Sequence, residues 1–302
     1  MKSSKKKSLR IPAFAKVNLA LNITGKRPDG YHELRTLFQA ISLADHLDIF
    51  ISPGKHLEIA FTCNDPLLAG PDNLVVRAIR ALAPEIGFTG QVELHLEKNI
   101  PVARGLGGGS SDAAAALIGM LRLTKAKLPL ERLMQIAASL GADVPFFLFG
   151  GRALAVNRGD EIYPMEDATK RTVVVVSPKG IGVPTKDAYS WLAPELTRLT
   201  NPHRIWRFCA LCWSRQEALS NDFEGPVFSR HPRLGEIRAG LLKRGAVDAA
   251  LAGSGSAVFG LFRNPARARR AARSFPEDSV FVVETLSREK YGRAMGWSLP
   301  RQ

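Results

Sequence analysis

A chain of 302 residues exceeds what one compact core usually holds, so two domains are expected. Hydrophobic residues make up 45% of it and charged residues 23%, a balance that excludes long disordered tracts and indicates a folded globular protein. Lysine and arginine outnumber acidic residues by 42 − 28 = 14, a surplus that favours phosphate-rich partners, nucleotides and nucleic acid alike.

Part of that surplus lies in Lys2, Lys5, Lys6, Lys7 and Arg10, and residues 1–10 are read as a solvated, disordered basic arm. Lys16 and Asn18 interrupt the stretch that follows, so the arm is not an export signal. Val17, Leu19, Leu21 and Ile23 then alternate with Lys16, Asn18, Ala20 and Asn22, which predicts a strand whose polar face carries both Lys16 and Asn18. The turn chemistry of Arg27-Pro28-Asp29-Gly30 delivers Tyr31 and His32 on its exit. Strands are predicted at 47–51, 57–61 and 92–96, and helices at 73–83, 112–123 and 130–140. Gly141 is expected to end the last of these in a left-handed conformation. This half, residues 11–168, is a β-rich α+β domain.

A second unit, 169–302, opens with a buried strand at 173–176. Helices follow at 186–192, 202–219 and 232–243, strands at 248–251 and 257–262, a helix at 266–274 and a strand at 279–284. The order is β-α-β-β-α-β, the split βαβ or ferredoxin-like arrangement. The helix 202–219 contains Cys209 and Cys212, read as buried structural thiols because no second ligand pair accompanies them. With Cys63 they make three cysteines, an odd count that fits a reducing, cytoplasmic compartment rather than a disulfide framework. The most apolar helix, 113–121, falls short of the roughly 20 residues a membrane span needs, so no membrane association is expected.

The most informative segment runs Pro101, Val102, Ala103, Arg104, Gly105, Leu106, Gly107, Gly108, Gly109, Ser110 and Ser111 into an alanine-rich helix. Its glycines let backbone N–H groups approach an anion, and the serines add hydroxyl donors where the helix dipole already favours phosphate. A polyphosphate fits there. Neither the P-loop pattern nor the dinucleotide fingerprint matches, since no lysine precedes the serines and Ser110 occupies the last glycine position.

This segment resembles the phosphate loop of the GHMP kinases. Pro12-Ala-Phe-Ala-Lys16-Val-Asn18 and Leu251-Ala-Gly253-Ser254-Gly255-Ser256 resemble that family's N-terminal and C-terminal motifs. Asp29-Gly-Tyr31-His32, Gly141-Ala-Asp143-Val-Pro145 and Asn221-Asp-Phe-Glu224 are similar to its branch that acts on a cytidylyl sugar alcohol. The resemblance implies the two-domain α+β GHMP fold and transfer of the ATP γ-phosphoryl group to a substrate 2-hydroxyl, a step of non-mevalonate isoprenoid synthesis. It implies ATP and Mg²⁺ as cofactors, Asp143 as base, Lys16 as the cation beside the moving phosphoryl group, and residues 101–111 as the ATP-binding loop. Tyr31 is then a ring for the cytosine, His32 a reader of its edge, and Asn18 a contact on the sugar side.

Several readings stay double. Tyr189 is either a second stacking aromatic or a core residue, and Arg104 either reaches a phosphate or points to solvent. Ser111 is a candidate Mg²⁺ ligand, although the sequence contains no dedicated carboxylate signature. The chain is read as a monomer or homodimer. Two rivals remain: a sibling GHMP kinase acting on mevalonate or homoserine, and a nucleic-acid-binding protein, which the glycine-serine loop disfavours.

Overall fold

The structure is a computed structural model that describes residues 6–193 and 219–298. Two long strands, β1 (Lys7–Lys26) and β2 (His32–Pro53), form an antiparallel hairpin across the turn at 27–31. Gly30 adopts φ +84° there, and Asp29 Oδ1 accepts from the Tyr31 amide at 3.1 Å, the side-chain-to-backbone bond such turns favour. The far end of β2 pairs with β4 (Gly90–Glu97), which carries β3 (Glu58–Cys63) in parallel on its edge. The near end of β2 pairs with β5 (Arg152–Val156), followed by β6 (Glu161–Pro164). A short β8 (Ser220–Asn221) lies parallel to β1 and makes seven strands among the described residues.

Residues 7–10, expected in the disordered arm, instead extend β1. Lys7 stands opposite Ile51 and Arg10 opposite Asp48, and the Arg10 guanidinium reaches Asp48 at 2.7 Å and Glu97 at 2.6 Å. Backbone pairing with β2, not these exposed charges, holds the segment, since surface ion pairs contribute little.

Helices α1 (Leu74–Glu85), α2 (Gly108–Thr124), α3 (Leu130–Leu140) and α4 (Val144–Phe149) pack with this sheet around one core. Asn73 caps α1 through a 2.9 Å bond to the Val75 amide. Every residue of α2 from Ser111 to Leu121 is buried, which explains its alanine run: small side chains let the helix lie close against α1 and β1. α3 ends at Gly141 as expected, but with φ 171°, extended rather than left-handed. The chain then turns into α4 at Asp143, a helix the sequence analysis does not predict.

The second sheet has the order β11 (Ser279–Glu284), β7 (Thr172–Ser177), β10 (Val258–Phe262), β9 (Asp248–Leu251), antiparallel throughout. α5 (Thr185–Leu192), α6 (Glu224–Arg230), α7 (Pro232–Lys243) and α8 (Pro265–Ala272) accompany it. This is the expected split βαβ arrangement. The helix predicted at 202–219, with Cys209 and Cys212, lies outside the described residues up to 218. α9 (Arg288–Met295) returns to the first domain, where buried Tyr291 donates to the Phe147 carbonyl at 2.6 Å and packs on Phe14.

β1 joins the two units. Its Ile11, Ala13 and Phe14 belong to the first core, Ala15 and Val17 to an apolar layer shared with β7, β9 and β10, and Leu21 and Ile23 to the core of the second sheet.

Candidate active site

Three bulges in β1, flanking Lys16, Asn18 and Ile23, break its ladder and aim the polar side chains inward. Lys16 is 4% exposed and Asn18 2%; a lysine so buried requires partners. The Lys16 ammonium donates to Asn18 Oδ1 at 2.9 Å and lies 3.3 Å from Asp143 Oδ2, with the Phe38 ring 5.0 Å beneath it. Asn18 in turn donates to Thr36 Oγ at 2.7 Å, and Thr36 donates to the Ala20 carbonyl. Asp143 sits at the N-cap of α4, yet its carboxylate makes no capping bond and faces Lys16 instead.

The glycine loop enters α2 earlier than expected, with Gly107 as N-cap in the left-handed region at φ +73°. The first turn of the helix, Gly108 to Ser110, thus presents its unpaired N–H groups and positive dipole end to the cavity, while the Ser111 amide closes the first helical bond onto the Gly107 carbonyl at 2.9 Å. A β-carbon on Gly107 would come within 2.8 Å of the Phe147 ring and 3.0 Å of the Lys16 side chain. One on Gly105 would overlap the Ala252 carbonyl, so the loop is pressed against the second glycine motif. The Arg104 guanidinium bonds Ser256 Oγ, an alternative to both the phosphate and the solvent readings.

Asn221 holds that second motif in place. Its amide donates to the carbonyls of Leu251 at 2.8 Å and Gly253 at 2.7 Å, while its oxygen accepts from the Phe223 amide. Asp222 accepts from the Ile23 amide at 2.7 Å, and Glu224 from the Leu251 amide at 2.9 Å. The Asn221–Glu224 segment therefore clips β1 to the loop that backs Gly105.

One cavity of about 520 Å³ takes in Lys16, Asn18, Asp143, Tyr189 and every loop residue from Pro101 to Ser110. Ser111 lies behind this wall, fully buried, with its hydroxyl oxygen unpartnered. Tyr31 and His32 are not among the residues that line the cavity; they stand at its rim, against Arg158 and Tyr189, which are. Tyr31 is 58% exposed, and His32 stacks on Tyr189 at 4.5 Å with an 18° tilt. Burial lowers the His32 pKa, helped by Lys26, which favours the neutral ring. Tyr189 also meets Phe223 edge-on, so it packs in the core and borders the cavity at once. Burial and the Asp143 carboxylate push its phenol up to about 12.

Sequence reasoning missed a charged group in the same wall. The Lys98 ammonium sits between Asp45 and Asp112, 2.7 Å from Asp112 Oδ2, and both carboxylates are almost fully buried. Burial opposes the charge on Lys98, but the two carboxylates outweigh it and raise its pKa. Burial lifts the Asp112 carboxyl to about 8; Lys98 pulls it back and the Asp45 carboxylate adds to the rise. The usable signal was Asp112 itself, a carboxylate directly after the serines at a helix start, together with Lys98 three residues before Pro101. Among the described residues, no cluster of three or more His, Cys, Asp or Glu could hold a metal ion.

A buried cation beside a carboxylate, at the mouth of a helix N-terminus stripped of side chains, is the equipment of a phosphoryl-transfer enzyme. The profile of the GHMP kinases N terminal domain matches residues 73–151, and that of the GHMP kinases C terminal matches 210–279. A 4-diphosphocytidyl-2-C-methyl-D-erythritol kinase of Solibacter usitatus is 45% identical over 285 residues, spanning 92% of this chain and 89% of its own length. Another, of Geobacter metallireducens, is 40% identical, spanning 92% and 97%. A crystal structure of 4-(cytidine 5'-diphospho)-2C-methyl-D-erythritol kinase superposes with a TM-score of 0.77 at 37% identity, covering 92% of this chain and 99% of the other. Mevalonate kinase of L. major, at 15% identity and a TM-score of 0.68, shares the fold alone. The chain belongs to the 4-diphosphocytidyl-2-C-methyl-D-erythritol kinase family of the GHMP kinases.

Proposed function

We propose that this chain transfers the γ-phosphoryl group of ATP to the 2-hydroxyl of 4-(cytidine 5'-diphospho)-2-C-methyl-D-erythritol, giving the 2-phosphate and ADP, in non-mevalonate isoprenoid precursor synthesis. The observation that carries the reading is the Lys16–Asp143 pair, set between the N-terminus of α2 and the Tyr189 end of one cavity. A phosphate chain lies on the first-turn N–H groups of α2, with the loop backed by Gly253. The substrate hydroxyl gives its proton to the Asp143 carboxylate as its oxygen bonds the γ-phosphorus and the bond to the ADP oxygen breaks. Lys16 stands where charge grows on the moving group. Asn18, held by Thr36, orients the Lys16 ammonium and offers itself to the sugar alcohol.

Mg²⁺, when bound with ATP, would neutralise phosphate oxygens; Ser111 keeps an unpartnered hydroxyl but lies behind the cavity wall, so water and phosphate oxygens would supply most of the shell. We read the chain as dividing at about residue 168, with nucleotide and substrate meeting between the two sheets. Incubating the protein with the cytidylyl substrate and ATP should give a product heavier by one phosphoryl group in the mass spectrum. Equal turnover of mevalonate or homoserine in a coupled ADP assay would overturn the substrate assignment.

A further inference from the structure

The turn between β5 and β6 is built in an unusual way. Asn157 is left-handed at φ +65°, a conformation asparagine tolerates better than most residues. Its side-chain oxygen accepts from the Arg27 guanidinium, and its carbonyl accepts from the Leu34 amide at 2.8 Å. Arg27 also pairs with Asp29 at 3.1 Å and Glu33 at 2.9 Å. The turn at 157–160 is thus fastened to the turn that carries Tyr31.

This fastening sets Arg158 against the cavity, with its guanidinium 5.1 Å over the Tyr31 ring. Asp160 engages only its Nε, at 3.0 Å, and Nη2, at 2.6 Å. Its Nη1 bonds nothing among the described residues, so donors of this planar fork are free for an anion. Among the described residues, four cations line the cavity: Lys16, Lys98, Arg104 and Arg158. The first three are tied to Asp143, to Asp45 and Asp112, and to Ser256. Arg158 is the one that stands beside Tyr31 rather than beside the phosphate loop.

We propose that Arg158 binds the diphosphate of the nucleoside-diphosphate substrate, fixing the span between the base at Tyr31 and the hydroxyl at Asp143. This rests on the cytidylyl reading above. Asp160 keeps the guanidinium oriented, and the Tyr31 ring supports it from below, so the fork is preorganised for two phosphate oxygens.

The test measures competitive inhibition by cytidine, CMP and CDP in the wild type, Arg158→Gln and Arg158→Lys, with thermal melting to check that each folds. In the wild type CDP should inhibit more strongly than cytidine. In Arg158→Gln that preference should shrink toward one, and the substrate KM should rise ten- to a hundredfold with the ATP KM unchanged. Arg158→Lys should recover part of the preference, because it restores the charge without the fork. An Arg158→Gln enzyme that keeps the full preference for CDP, or weakens cytidine and CDP equally, overturns the diphosphate role and leaves the cytidylyl reading standing. A wild type that neither cytidine nor CDP inhibits overturns both.

Discussion

The Lys16 ammonium and the Asp143 carboxylate stand 3.3 Å apart, and Asn18 takes a second proton of the same ammonium at 2.9 Å. Asp143 is about one-third exposed, so a substrate hydroxyl can reach it while Lys16 stays sheltered. Replacing Asp143 with asparagine keeps the shape and removes the proton acceptor. We expect Asp143→Asn to fold and bind ATP while kcat falls by about 10² to 10⁴. Near wild-type kcat in the folded variant would remove Asp143 from the base role.

Gly107 is constrained twice, by its left-handed backbone and by the Phe147 ring and Lys16 stem beside it. Gly107→Val should therefore weaken ATP binding by an order of magnitude or more, because the first turn of α2 must shift from the cavity. Calorimetric titration with ATP decides it, and unchanged affinity would contradict a phosphate-binding role for the loop.

At the rim the effects should divide by substrate. A base stacked on an aromatic ring gains roughly 1 to 3 kcal/mol, so Tyr31→Ala should raise the KM of the cytidylyl substrate by about one to two orders of magnitude and leave that of ATP alone. His32→Ala should also lose discrimination between cytidylyl and uridylyl analogues. Steady-state kinetics with both analogues would show it; an equal rise in the ATP KM would place these residues outside a cytidine pocket.

Asp112 makes stability depend on pH in an unusual direction for a carboxylate. The ordinary value is 3.8, and the folded protein raises it to about 8. Between those values the folded chain binds more protons than the unfolded one, so this contribution is full at acid pH and is lost as pH rises through 8. Asp112→Asn removes the titration and keeps an oxygen for Lys98. The wild-type melting temperature should therefore fall against that of Asp112→Asn between pH 5 and pH 9. A constant difference across that range would show that the carboxyl does not titrate there.

The alternating run after Lys16, the stop at Gly141 and the strand order of the second domain were legible because each rests on local periodicity or turn chemistry. So were the motifs gathered at the cavity, whose residue types announce their chemistry. β5, β6, α4, α6 and α9 were not legible: they are short, and long-range pairing decides them, as when β5 finds the near end of β2. The role of Asn221 was also hidden, since its hydrogen bonds reach Leu251 and Gly253 across thirty residues of chain. Nor can sequence spacing reveal that Asp45 and Asp112 would share Lys98.

The passage of β1 through three apolar clusters limits how the molecule can be dissected. A fragment beginning near residue 169 would lack Leu21, Ile23 and Leu34, which fill the core beneath Val174 and Val176. It would expose that apolar surface to water and invite aggregation. The complementary fragment would leave Ala15 and Val17 equally bare. The two lobes should therefore melt in a single calorimetric transition, and any chimaera with another kinase must exchange β1 along with the lobe it serves.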